Sequence, residues 1–303
     1  MSGIVDFHVH ISTVPSSIHL HPDYSITKVL SDQARNHIDK SICFINPFVS
    51  KLLCPHNPRH KIRIVDSQTP GSIRLFCNDC NKVYFHGVDP IREFNITFMN
   101  QVKNEPSIIP FIYLNVCPSN INEEIEFYEH LFPGRIAGYK MHPTLSGRSV
   151  SEIHLEATTK PVLIHTGVEA CATPKSGLAF AEQYTGTVIL AHLARFNEEV
   201  LMKLGQKENL FVDTSPMTFL YDLVLKKPHR IYDTSWISDS VVSIDVFYQR
   251  LFSKIDYRKV IFASDAPFSD CSKEINHFSN MSHDFIRQCN LTAKKILLEN
   301  HGA

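Results

Sequence analysis

The stretch PVLIHTGVEACATPKSGLAFAEQYTGTVILAHLA, residues 161–194, carries in one repeat the pattern that decides the fold. Two short apolar runs, 161–167 and 187–194, flank a segment with helical periodicity at 177–186. Each run is continuous rather than alternating, as expected of a strand buried on both faces of a parallel sheet. Each also ends near a histidine, His165 in the first and His192 in the second.

The same unit recurs in both directions along the chain. Apolar runs at 3–11, 41–48, 108–116 and 135–143 precede it, and runs at 209–215 and 259–266 follow. Helical stretches at 25–40, 92–104, 122–132, 197–206 and 243–254 separate most of them, and 282–300 closes the chain. The link between the fourth and fifth runs has only a weak helical signal. Eight strands alternating with helices predict an α/β fold, an eightfold β/α (TIM) barrel spanning residues 1–303. A doubly wound open sheet competes, but no glycine-rich phosphate fingerprint follows the first run.

Residues 49–89 break the alternation. They hold turn residues and β-like runs without a helix pattern, over a length that a bare loop in a compact domain seldom reaches. We therefore expect a small inserted subdomain after the second strand. Cys77-Asn-Asp-Cys80 is a C-x-x-C turn, and Cys54-Pro-His56 lies upstream. Two ligand-bearing turns joined by β-like runs read as a zinc-ribbon-like unit with one cysteine replaced by histidine. The expected structural zinc ligands are Cys54, His56, Cys77 and Cys80, with His60 the alternative to His56. Such an ion would hold together a subdomain with too little core of its own.

Composition limits the function. Thirty basic and thirty-one acidic residues give a net charge of −1, with 43% hydrophobic residues. This is a globular composition, and it disfavours nucleic acid as the main partner without excluding it. The N-terminus has no basic and apolar regions of signal-peptide type, and no apolar run reaches the roughly 20 residues that cross a bilayer. A cytoplasmic chain with reduced cysteines and a small-molecule substrate is expected, with no membrane partner; homo-oligomerisation stays open.

The seventeen histidines are the unusual count. Alternation along the first strand puts His8 and His10 on one face together with Asp6, while Phe7 and Val9 point away. An H-x-H pair by itself is weak, since roughly one is expected by chance in such a chain. A second pair, His19 and His21, reads as solvated loop. Position strengthens the first pair. His165 and His192 sit near the ends of the fifth and sixth strands, Asp265 at the end of the eighth, and Lys140 and His142 at the end of the fourth. In a β/α barrel these ends converge on one mouth, where active sites are built.

The D-x-H-x-H opening at 6–10, with H-T-G at 165–167, A-H-L at 191–193 and S-D-A-P at 264–267, resembles the amidohydrolase superfamily of metal-dependent hydrolases. The resemblance covers nearly the whole chain outside the insertion. GYKMHP (138–143) and VDTSP (212–216) bring it nearest the amidohydrolase-related branch, which contains hydrolases and some non-oxidative decarboxylases. It implies that His8, His10 and Asp265 are metal ligands, that His165 is a further ligand, and that His192 ligates a second metal or acts as a polarising acid/base. Lys140 decides the metal count. A desolvated lysine near cations reacts as a free amine, so it can be carboxylated. In binuclear members such a lysine bridges two ions; in mononuclear members it is absent or binds a substrate anion.

The implied cofactor is one or two Zn2+, or Mn2+ or another divalent ion. Such an ion lowers the pKa of bound water from 15.7 to about 7. Asp265 would take the proton and pass it to the leaving group. Hydrolysis of an amide, cyclic amide, ester or lactone is the expected reaction, with His142, Thr214 and Ser215 as substrate contacts. A decarboxylase on the same barrel would protonate carbon instead. The TatD-like deoxyribonucleases share the barrel, the H-x-H opening and the D-A-P close, but expect an acidic ligand on strand four, where this chain has Lys140.

Overall fold

Every one of the eight apolar runs forms a strand. The computed structural model describes residues 3–12, 24–45, 53–54, 56–66, 72–77, 79–116, 120–226, 234–237 and 243–298; His19 and His21 lie outside them. The barrel strands are β1 (Ile4–Ile11), β2 (Ile38–Ile45), β7 (Ile108–Leu114), β8 (Gly138–Met141), β9 (Val162–Ile164), β10 (Val188–Leu190), β11 (Leu210–Asp213) and β12 (Val260–Ile261). They pair in that order, all parallel. The last returns to the first through Phe7 N–H to Phe262 O (3.0 Å), Asp265 N–H to His8 O (2.9 Å) and His10 N–H to Ala266 O (2.8 Å). The architecture is a TIM barrel. No helix among the described residues is long and apolar enough to cross a membrane.

Alternation divides the buried residues into two layers. Leu163, Ile189, Phe211 and Ile261 belong to one cluster with Ile42, Phe44 and Phe111, which fills the lumen. Their sequence neighbours Val162, Ile164, Val188, Leu190, Val212 and Val260 pack outward with helical side chains. Gly138 allows the lumen to fill. A Cβ there would stand 2.5 Å from the Phe111 ring and 2.6 Å from the Pro161 carbonyl. The expected helices are present, and two more follow β11 and β12, at Met217–Lys226 and Cys271–Ser279. The weak link after β8 holds only a short helix, Pro143–Ser146, and a 3₁₀ turn, Val150–Glu152.

The first strand corrects the simple alternation expected of it. Asp6 pairs with Ser41 and Val9 with Cys43, so Phe7 and His8 together face Ile42. This bulge switches the phase of the strand, because two residues occupy one step of the partner. Val5 and Phe7 join the lumen cluster, while Val9 and Ile11 join the outer one. His8 and His10 therefore turn inward, and Asp6 does not share their face.

Between β2 and β7 the chain forms a separate antiparallel sheet of β3 (Leu53–Cys54), β4 (Asn57–Asp66), β5 (Ser72–Cys77) and β6 (Lys82–Val88), in that order. It returns to the barrel through Asp89, which caps the helix Pro90–Gln101 by accepting the Ile91 N–H at 2.8 Å. Asn115 Nδ2 donates to its other oxygen at 2.6 Å. Burial raises this carboxyl to about 7, above its ordinary 3.8. A raised carboxyl binds its proton more tightly in the folded state, so stability from this group falls as pH rises from about 4 to about 7. Asp89→Asn keeps a capping oxygen without the charge. Its stability relative to wild type should improve between pH 4.5 and pH 8 by on the order of 2 kcal/mol, read from urea unfolding. A pH-independent difference would show that Asp89 carries no such penalty.

Candidate metal centre

The bulge and the strand ends bring the expected residues together at the C-terminal mouth. His8 Nε2 lies 3.1 Å from His10 Nε2, His10 Nε2 lies 3.1 Å from Asp265 Oδ1, and His8 Nε2 lies 3.3 Å from the same oxygen. All three residues are buried. The tautomer of His8 follows from its other nitrogen, which stands 2.8 Å from Asp213 Oδ2 and must donate to it. Burial holds the His8 pKa well below its ordinary value, so Nε2 carries a lone pair toward His10 and Asp265.

This donor set fits a divalent ion. With ligands at about 2.1 Å, neighbouring donor atoms are separated by about 3.0 Å in an octahedron and about 3.4 Å in a tetrahedron. The triangle formed by the two Nε2 atoms and Oδ1 has sides within that range. A carboxylate that orients the distal nitrogen of a histidine is also the usual support of a metal-binding imidazole.

His165 and His192 form a second pair beside the first. His192 Nδ1 donates to the Ser215 carbonyl at 2.8 Å, so its Nε2 accepts from His165 Nδ1 at 2.9 Å. The remaining lone pair of His165 is then on Nε2. The rings of His8 and His192 stand 5.4 Å apart. His142 stacks on His165 with centroids 3.7 Å apart. Burial holds the pKa of all three of these histidines well below the ordinary imidazole value, so they are neutral at pH 7.

Lys140 is fully buried in β8, with Nζ 3.2 Å from His8 Nε2 and 5.0 Å from the Phe44 ring centroid. Burial lowers its pKa, against the opposing pull of Asp213 and Asp265, and burial raises Asp265. Arg195 adds a second positive charge, which helps to keep His142, His165 and His192 neutral. Its Nε donates to the Thr166 carbonyl at 2.7 Å.

Two expected substrate contacts are engaged elsewhere. Thr214 is fully buried, and its hydroxyl donates to Ala263 O at 3.3 Å and accepts from Ala263 N–H at 3.1 Å. It joins β11 to the segment after β12. Ser215 is also fully buried, and its hydroxyl donates to Asp213 Oδ1 at 2.8 Å. His142 stays at the mouth, half-buried.

In the inserted sheet, one donor atom each from His60, Cys77 and Cys80 lies within 4.8 Å of the others. His56, the expected ligand, is exposed, and its Nε2 accepts from Lys82 Nζ at 3.1 Å. The register accounts for the different positions of His56 and His60. β4 begins at Asn57, so His56 stands in the turn before the strand and His60 on it, toward Cys80. Cys54 pairs with Asn57 across the β3–β4 hairpin, and its thiol lies outside what the structure describes.

Two buried carboxylates escaped the sequence reading. Asp213, inside VDTSP, holds His8 and also accepts the His192 N–H at 2.8 Å and the Ser215 N–H at 3.1 Å. Its position at the end of the seventh run was the available signal. Glu274, fully buried in a helix not expected from the sequence, accepts the Met217 N–H at 2.7 Å and so ties down the loop that follows Ser215.

Neither a protein-family model nor a curated protein matches the sequence. Solved structures do match in fold. A 5-carboxyvanillate decarboxylase from Sphingomonas paucimobilis superposes with a TM-score of 0.60 at 10% identity, covering 98% of this chain and 99% of that one. A candidate 2-pyrone-4,6-dicarboxylic acid hydrolase from Pseudomonas putida gives 0.60 at 10%, covering 98% of each chain. A dihydroxybenzoic acid decarboxylase from a Polaromonas species, solved with bound manganese and an inhibitor, gives 0.59 at 11%, covering 99% and 98%.

If Asp213 aims His8, Asp213→Asn should weaken divalent-ion affinity about 10–100-fold with the fold intact, measured by competition with a chelator. Unchanged affinity would remove Asp213 from the support of the site.

Proposed function

We propose that the chain is a metal-dependent hydrolase of the amidohydrolase type, acting on a small carbonyl substrate at the C-terminal mouth of its barrel. The spacing of the His8, His10 and Asp265 donor atoms carries this reading. A divalent ion held there, zinc or manganese, supplies Lewis acidity and an activated water. The protein's own groups do the rest. Asp265 is short and placed to accept a proton and return it to the leaving group. His165 offers its Nε2 lone pair as a further ligand or a proton acceptor, oriented by His192. Lys140, unmodified, sets a positive charge beside the reacting carbonyl; carboxylated, it would serve a second ion.

The substrate we favour carries a carboxylate. Lys140 and Arg195 bring two cations to a site where His8, His142, His165 and His192 are neutral, and the three structural neighbours described above are named for carboxylic acids. That observation also favours the second reading, non-oxidative decarboxylation, in which the same cations hold the departing carboxylate. Phosphodiester hydrolysis of the TatD-like kind is the poorer fit, because β8 brings Lys140 rather than an acid to the mouth.

Protein loaded with Zn2+ or Mn2+ should hydrolyse a member of a panel of lactones, esters and amides that carry a carboxylate. Asp265→Asn should lower the rate by about 100-fold or more while leaving the thermal transition in place. Release of CO2 from an aromatic carboxylic acid without hydrolysis would transfer the assignment to a decarboxylase. Cleavage of single-stranded DNA that is lost in His8→Ala would overturn both readings.

A further inference from the structure

We propose that the inserted sheet holds a structural metal ion of its own, bound by His60, Cys77 and Cys80, and that this ion fixes the strand whose Arg63 ties down the catalytic mouth. The metal site stands apart from the catalytic reading; only its consequence for the mouth rests on it.

The ligands come from three successive parts of the sheet. His60 is on β4, Cys77 ends β5, and Cys80 is in the turn before β6. β4 and β5 run antiparallel with Ile62 opposite Cys77 and Arg63 opposite Phe76, which places His60 near that turn. His60 Nδ1 lies 3.2 Å from Cys80 Sγ. With Zn–S at about 2.3 Å and Zn–N at about 2.0 Å, tetrahedral ligand atoms are separated by about 3.4–3.8 Å, so these side chains need move little to close on an ion. Neither Cys77 nor Cys80 is in a disulfide, and Cys77 is fully buried.

A metal would add a cross-link to this sheet. Its own buried cluster, among the described residues, is Cys77 with partly buried Leu75, Cys80 and Tyr84. A Cys/His ion beside Cys77 would supply folding energy to the sheet directly.

Arg63 stands three residues beyond His60 on the same strand. Its guanidinium donates to the Thr144 carbonyl and, at 3.3 Å, to Glu169 Oε2 through both terminal nitrogens. Thr144 is two residues past His142, and Glu169 is four past His165. One side chain of the insertion therefore joins the two loops that leave the stacked pair His142 and His165.

The test counts ions and follows the mouth loops in the full-length protein. Co2+-loaded wild type should show thiolate-to-cobalt absorption. Cys77→Ser and His60→Ala should each lose about one ion per chain with that absorption, whereas His8→Ala should lose an ion and keep it. Arg63→Ala should keep the thiolate-bound ion, yet speed amide hydrogen exchange at 143–147 and 165–170, as should Cys77→Ser. If the variants fail to fold, wild type alone decides. Protection of Cys77 and Cys80 from alkylation until a chelator is added supports the site; free alkylation of the loaded protein, or absence of thiolate absorption, overturns it. Unchanged exchange in Arg63→Ala overturns the link to the mouth.

Discussion

The mouth of this barrel is organised around one buried carboxylate, Asp213. Removing a carboxylate from water is costly unless donors surround it, and here four do: His8 Nδ1–H, the N–H groups of His192 and Ser215, and the Ser215 hydroxyl. Each of these bonds fixes something else. The first sets the tautomer of His8 and turns its Nε2 lone pair toward His10 and Asp265. The bonds to His192 and Ser215 hold both ends of a relay, from the Ser215 carbonyl through His192 to His165, that leaves His165 Nε2 open. The proton positions of three imidazoles thus follow from a carboxylate that stands one residue before Thr214.

The backbone around this carboxylate is held in conformations that few residues prefer. His192 to Phe196 all have φ between 44° and 62°, without a glycine among them, and Asp265 has φ 60°. Left-handed residues with a Cβ cost about 1–2 kcal/mol each, so the surroundings must impose them. Leu193, Ala194 and Phe196 are buried in the outer core, and burial of their side chains offsets that cost. Asp6 does the corresponding work beside Asp265. Pointing away from the lumen between Val5 and Phe7, it accepts the Ser264 N–H at 2.9 Å and the Ser264 hydroxyl at 2.7 Å, and so fixes the residue before Asp265.

The barrel was legible in the sequence because doubly buried strands must be apolar throughout, and eight such runs stand out against helical spacing. His8, His10, Lys140, His165, His192 and Asp265 were legible for a related reason, since polar residues at the ends of apolar strands are conspicuous. The bulge at Phe7 and His8 was not, because it involves no glycine or proline and appears only in the pairing with β2. Asp213 has no local signal beyond its place in VDTSP, and its importance lies in what folds around it. Thr214 and Ser215 have side chains suited to a substrate, but the choice between substrate and backbone is made by tertiary neighbours such as Ala263. That His60 rather than His56 stands beside Cys80 depends on where β4 begins, and strand boundaries are the least determined part of any sequence reading.

Stability and chemistry are divided along the barrel axis. Val5, Phe7, Phe111, Leu163, Ile189 and Ile261 fill the lumen, and the C-terminal helix His283–Leu298 adds Ala293, Ile296 and Leu297 to the same cluster. The polar groups lie at the other end, where the strands give way to loops. Besides their own buried side chains, such as Leu193 and Met217, those loops are held by charged groups brought from outside the barrel sheet. Glu274 collects the Met217 and Thr218 N–H groups after β11, and Arg63 collects Thr144 and Glu169 after β8 and β9. A buried carboxylate that accepts several N–H groups, like a guanidinium shared between a carbonyl and a carboxylate, is directional in a way that apolar contact is not. Loops fixed by such bonds can keep histidines within tenths of an ångström of a working arrangement, while their exposed residues change without disturbing the apolar lumen beneath.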